Sequence, residues 1–201
     1  MNKYLIYMIF VLFVVIFYIY FYDGTVKMKS PVDGKYYKVR NNNRKQIKAD
    51  TIAIIHLRLN TLVTALKNDT SVNTQENIKR LIKNWDSGIS IKEIGNMESD
   101  AGYVINKQYM SLCLEKSPYG GELEPINMLI YVAIHELAHI MSHEIGHGDE
   151  FINNFTFLLD YSKKLYYFDP LENQNVSIYT SINRVSSSDK ICGVYIKNSI
   201  H

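Results

Sequence analysis

The sequence predicts an α+β domain, and three observations carry that expectation. Apolar residues recur at helical spacing from Ile47 to Leu66, and the same spacing returns after Thr74, Pro125 and Asp149. Between them stand two runs of strand character, Gly102 to Ile105 and Gln108 to Glu115. Two further short strand candidates, Val176 to Tyr179 and Ile191 to Ile196, follow Pro170. The chain has 201 residues. With its apolar start set aside, about 175 remain, enough for one domain with a real core but scarcely for two.

The first element is apolar. Residues 4–22 carry no charge and are almost wholly Ile, Val, Leu, Phe, Met and Tyr. As a helix they would extend about 28 Å, close to the hydrocarbon thickness of a bilayer. Tyrosines stand near both ends, where aromatic rings favour the headgroup level. The run is longer than a usual signal-peptide core, and Phe21-Tyr22-Asp23-Gly24 offers no small-x-small cleavage site. The expectation is a single transmembrane helix. Lys3 precedes it, whereas Lys27, Lys29, Lys35, Lys38, Arg40, Arg44 and Lys45 follow, which places the rest of the chain on the cytoplasmic side. These basic residues would also lie against anionic lipid.

Residues 23–46 are polar and turn-rich and read as a juxtamembrane linker. Within it, Pro31-Val32-Asp33-Gly34 suits a turn and Lys35 to Arg40 a short strand. The domain proper then occupies residues 47–201. Its first helix presents Ile47, Ile54, Ile55, Leu59, Leu62, Val63 and Leu66. Its second starts at Thr74, whose hydroxyl can cap the Asn77 amide, and continues through Ile78, Leu81 and Ile82 to Trp85. In the strand from Gln108, Tyr109, Ser111, Cys113 and Glu115 alternate with Met110, Leu112 and Leu114, giving one markedly apolar face. That strand is a candidate edge for pairing with an extended peptide. Pro118-Tyr119-Gly120-Gly121 turns the chain. Pro125 sits at the front of a helix running to His143, Gly146 breaks it, and another helix spans Asp149 to about Tyr166.

The net charge of +2 points to neither nucleic acid nor an acidic substrate. Two cysteines, Cys113 and Cys192, are too few for a disulfide framework and fit a reducing compartment, with a single bridge left open.

His135-Glu136-Leu137-Ala138-His139 carries the chemistry. Histidines four apart lie on one helix face, near enough to hold one metal ion, and the glutamate between them can act as general base toward an attacking water. Leu129, Ile130, Ala133, Leu137, Ala138 and Ile140 set this pattern in a helix that packs into the core, which is what a rigid metal site requires. Zinc needs a third protein ligand. His143 lies about 12 Å along a straight helix from His135, too far for one ion. His147 sits between Gly146 and Gly148, where a sharp reversal could return its ring to the pair, and it is the preferred third ligand. Glu144, Asp149 and Glu150 read as capping or solvated acids before ligands. Tyr161, Tyr166 and Tyr167 are all candidates for a second electrophile.

The segment His135 to His139, followed by Gly146-His147-Gly148-Asp149-Glu150-Phe151, resembles the active site of the WLM and SprT-like zinc metallopeptidases. The wider stretch from Tyr103 to Leu159 is also similar to small predicted metallopeptidases of large DNA viruses. The resemblance implies a zincin-like domain with His135, His139 and His147 as zinc ligands, Glu136 as the catalytic base and Phe151 as a packing residue of the next helix. It implies a protein or peptide substrate, cleaved beside a host or virion membrane if the N-terminal helix anchors the chain. No nucleic-acid partner is expected, because no DNA-binding or zinc-ribbon module follows residue 160. The rival reading is a metal-holding structural or interaction protein without hydrolytic activity.

Overall fold

The computed structural model describes residues 3–21, 24–95, 100–117, 121–180, 190–191 and 194–195. In chain order the elements are α1 (Lys3–Phe21), β1 (Thr25–Lys29), β2 (Tyr36–Arg40), α2 (Lys45–Asn68), α3 (Glu76–Asp86), β3 (Ser90–Glu93), β4 (Gly102–Ile105), β5 (Tyr109–Leu112), α4 (Ile126–Met141), α5 (Asp149–Ser162), β6 (Tyr166–Asp169), β7 (Gln174–Ser177), β8 (Lys190–Ile191) and β9 (Val194–Tyr195). The architecture is α+β, with helices and short strands segregated along the chain.

The transmembrane helix expected over residues 4–22 is not supported. Among the described residues, no helix is long and apolar enough to cross a membrane. The side chains of α1 are described through Phe17. Residue 22 and the side chains of residues 18–21 lie outside the described residues. The single-pass topology, the cytoplasmic placement and the lipid contact that rested on this helix are corrected accordingly.

The segment expected as a linker is part of the packed structure. β1 and β2 form an antiparallel hairpin, Thr25 opposite Arg40 and Lys29 opposite Tyr36. Tyr37 and Val39 of β2 are buried. Arg40 reaches into a charged cluster beneath them: its backbone N–H donates to Glu93 Oε2 at 2.6 Å, and its Nε donates to Ile94 O at 2.9 Å. Lys48 of α2 stands 2.7 Å from Glu93 and 2.9 Å from Glu115, all three side chains being at most 1% exposed. Burial drives the Glu93 carboxyl up, against the pull of Lys48 and Arg40. Such a cluster adds little net stability, but it ties β2, α2, β3 and the chain after β5 into one arrangement.

The central sheet has strand order β3-β5-β4. β3 runs parallel to β5, with Ser90 opposite Tyr109, and β4 runs antiparallel to it, with Gly102 opposite Leu112. β5 therefore has neighbours on both sides. It is not the edge that its alternating sequence suggested; β4 is the outer strand on the side of α4. Cys113, just past β5, is disulfide-bonded, and no described cysteine is free, in contrast to the unpaired thiols of a reducing compartment. Cys192 lies outside the described residues.

α4 is the centre of the molecule. From Leu129 to Met141 its side chains are buried all round, except for the partly exposed His135 and His139. It packs against α2, α3, α5, β4 and β5. A helix apolar on every face can lie only inside a core. α3 starts one residue later than Thr74 capping would give, with Gln75 at the N-cap and no side-chain cap. α5 ends at Ser162, because the chain turns through Lys163 and Lys164 into β6. The expected turn at Pro118 to Gly121 lies mostly outside the described residues.

Candidate metal centre

α4 ends at Met141, two residues before the expected His143. Ser142 is its C-cap, with extended backbone, and the Ser142 hydroxyl donates back to Ala138 O at 2.8 Å. A loop then runs to Gly148, the N-cap of α5. Gly146 has φ of +104°, a left-handed conformation that a residue with a Cβ rarely adopts, and the reversal there returns His147 toward α4.

His135, His139 and His147 come together. One ring nitrogen from each lies within 4.8 Å of the others. His135 Nε2 and His147 Nε2 are 3.1 Å apart. Two nitrogens at zinc-bond length in a tetrahedron stand roughly 3.3 Å apart, so the spacing fits one ion. Among the described residues this trio could hold a metal, and His143 is not part of it. Phe151 of α5 supports all three imidazoles, its ring centroid 4.8 Å from that of His135, 4.3 Å from His139 and 4.7 Å from His147. Phe155 adds a second ring 5.2 Å from His135.

Electrostatics leaves these imidazoles ready for a cation. Burial, then His139 and His147, lowers the His135 pKa to about 3. Burial, then His147 and Lys107, lowers that of His139 to about 4. Both are neutral near pH 7, with a lone pair available, which is the state that a metal ligand needs.

Glu136 is 3% exposed and reaches toward β4. Burial, then the charge of Asp100, raises its pKa to about 8. Its Oε2 is buried with no hydrogen-bond partner among the described residues. β4 passes so close that a Cβ on Gly102 would stand 3.0 Å from Glu136 Oε1 and 2.9 Å from Val132 Cγ1. Gly102 thus gives the carboxylate its room. A buried carboxyl with an elevated pKa, beside a cluster that could take a cation, has the character of a general base.

The other sequence candidates lie elsewhere or serve differently. The Tyr161 hydroxyl donates to Asp69 at 2.8 Å, that of Tyr167 donates to Asp169, and Tyr166 is 66% exposed on β6. None of the three is among the residues packed on the imidazoles. Asp149 and Glu144 are exposed, whereas Glu150 takes backbone amides of the loop. The sequence alone did not point to Gly102, Asp100, Arg80 or Lys107. An isolated glycine opening a strand was the one available signal, because it often marks close backbone approach.

No family model matches the chain. It is 27% identical to an uncharacterized protein of Acanthamoeba polyphaga mimivirus, over 100% of this chain and 99% of that one. It is 35% identical to an uncharacterized protein of Invertebrate iridescent virus 6 over 38% of its length, and 36% identical to one of Invertebrate iridescent virus 3 over 37%. The chain spans less than half the length of these two relatives, 44% and 46%. Among solved structures, a mutant of Wss1 from S. pombe is 22% identical, covering 50% of this chain and 80% of that one at a TM-score of 0.32, a distant likeness.

Proposed function

We propose that this chain is a zinc-dependent peptidase that hydrolyses protein or peptide bonds. One observation carries the reading: three imidazoles with ring nitrogens within 4.8 Å of one another on a buried helix and its following loop, with a buried carboxyl between two of them in sequence. Metal holding alone would not call for Glu136. Three histidines without sulfur suit zinc, which leaves one position for water and substrate.

Held by His135, His139 and His147, zinc would supply a Lewis acid to polarise the scissile carbonyl. Glu136 takes the proton of the attacking water and passes it to the leaving amine. Its raised pKa suits the second task as well as the first, because a carboxylic acid near neutrality gives up its proton readily. Gly102 keeps the carboxylate in place. The outer strand β4 offers backbone groups along which an extended peptide could lie, next to Glu136.

The test uses the full chain, loaded with zinc and offered a peptide library and unfolded protein, beside Glu136→Gln. Cleavage by the wild type, lost in Glu136→Gln with zinc still bound, is expected. One bound zinc without cleavage of any substrate would leave a metal-holding structural protein, and no bound zinc would overturn both.

A further inference from the structure

The third ligand stands on a loop that has little apolar anchorage of its own: Ile145, at its middle, is fully exposed. Polar contacts brace it instead. Glu150, in the first turn of α5, reaches backwards rather than into its own helix. Its Oε1 accepts the His143 N–H at 2.9 Å and its Oε2 accepts the Glu144 N–H at 3.1 Å. A capping carboxylate would take amides at the start of α5; these two precede that helix by five and six residues. Arg80 of α3 donates through Nη1 to Glu150 Oε1 at 3.2 Å, and the same nitrogen donates to Met141 O, the last residue of the metal helix, at 2.7 Å. One guanidinium thereby joins the end of α4, which carries two ligands, to the brace of the loop that carries the third.

Further groups lock the same corner. Lys107 donates to Ser142 O, so two cations cover the final carbonyls of α4, where the helix dipole favours positive charge. Lys107 does so from a turn in which it has φ of 56° and Asn106 has φ of 52°, a left-handed pair that costs a non-glycine residue about 1 kcal/mol. Asn154 donates to the Ser142 hydroxyl at 2.9 Å and accepts from Asn77 at 2.8 Å.

We propose that Glu150, held by Arg80, is a positioning residue for the metal centre: it fixes the His143 to His147 loop so that the His147 imidazole is preset for the ion. This rests on the zinc reading of the three histidines. Glu150 does not touch the metal. It removes the cost of ordering the loop at the moment of binding, the way that partners outside the ligand set raise metal affinity in general.

Zinc affinity by competition with a chromophoric chelator tests it, on the full chain and on Glu150→Ala, Glu150→Gln, Arg80→Gln and, as control, Asp149→Asn. Glu150→Ala should weaken zinc by about 10- to 100-fold. Glu150→Gln, which keeps one acceptor oxygen, should recover part of that loss, and Asp149→Asn should match the wild type. Hydrogen exchange at the His143 and Glu144 amides should accelerate in Glu150→Ala while amides in the middle of α4 stay protected. If Glu150→Ala does not fold, the glutamine and Arg80 variants decide. Zinc held by the Glu150 and Arg80 variants within about twofold of the wild type overturns the proposal and leaves the zinc reading intact. No zinc on the wild type overturns the zinc reading, and the proposal with it.

Discussion

Glu136 should make the metal-free chain lose stability as pH rises, and Glu136→Gln should remove that loss. Burial raises the carboxyl from its ordinary 4.5 to about 8. The sign follows from linkage. Below about pH 4.5 the group is protonated in both folded and unfolded chains and contributes nothing; as pH rises, the unfolded chain ionises first, and the folded chain falls behind until it too ionises near pH 8. At about 1.36 kcal/mol per pKa unit, the limiting cost is roughly 5 kcal/mol, and roughly 4 kcal/mol of it develops between about pH 5 and about pH 9. Glutamine is the same size and never ionises. His135 and His139 titrate in both chains, so their opposite dependence, a loss of stability on the acid side, cancels in the difference. The assay is urea unfolding in the presence of a chelator, wild type beside Glu136→Gln, across that pH range. The gap should widen steadily in favour of glutamine as pH rises. Curves that stay parallel to within about 1 kcal/mol would refute the reasoning, and with it the buried, unpartnered state of the carboxylate.

Four further outcomes follow from particular contacts. His147→Ala should abolish tight zinc binding measured by metal content, and His143→Ala should leave it unchanged, because only the former belongs to the histidine trio. Phe151→Ala removes the ring that touches all three imidazoles; unfolding should show a loss of about 3–5 kcal/mol, and chelator competition a weaker site. Gly102→Ala would push a methyl against Glu136 and Val132; kcat should fall by about 100-fold with zinc content unchanged, as misplacement by about 1 Å does elsewhere. Lys48→Met removes the nearer of the two cations shared by buried Glu93 and Glu115, leaving only Arg40 at 3.8 Å from each, and a loss of about 3–5 kcal/mol in urea unfolding is expected.

The metal helix was legible because its signal is local. Histidines four apart, set in an apolar pattern of helical period, fix the face on which both rings stand, and no distant contact can change that. The return of His147 was legible for a related reason, since a glycine beside it permits the left-handed backbone that a sharp reversal uses. The sheet was not. β3 is four residues long and reads Ser-Ile-Lys-Glu, with too little alternation to mark it as a strand beside β5. Without β3, β5 looks like an edge, and the outer position of β4 stays hidden. The end of α4 falls two residues before the expected His143, because Ser142 ends the helix through a hydroxyl bonded back to Ala138. The brace made by Arg80 and Glu150 lies beyond sequence reasoning altogether, because it joins residues 70 positions apart.

Burial does two jobs at this site, and they pull toward the same requirement. Packing α4 on every side holds the two helix imidazoles rigid and, by the same exclusion of water, drives their protons off and drives a proton onto Glu136. The metal-free corner crowds imidazole nitrogens, His135 Nε2 standing 3.1 Å from His147 Nε2, and holds a carboxyl that resists ionising, and each is a cost that the apolar core must carry. A divalent cation relieves both, because it satisfies the nitrogens and favours the charged form of a nearby carboxylate. Metal binding should therefore raise stability most where the metal-free chain is weakest, above neutral pH. That direction separates a site built to hold a cation from three histidines that merely share a face: for the latter, zinc would shift the unfolding curve by the same amount at every pH at which the imidazoles are neutral.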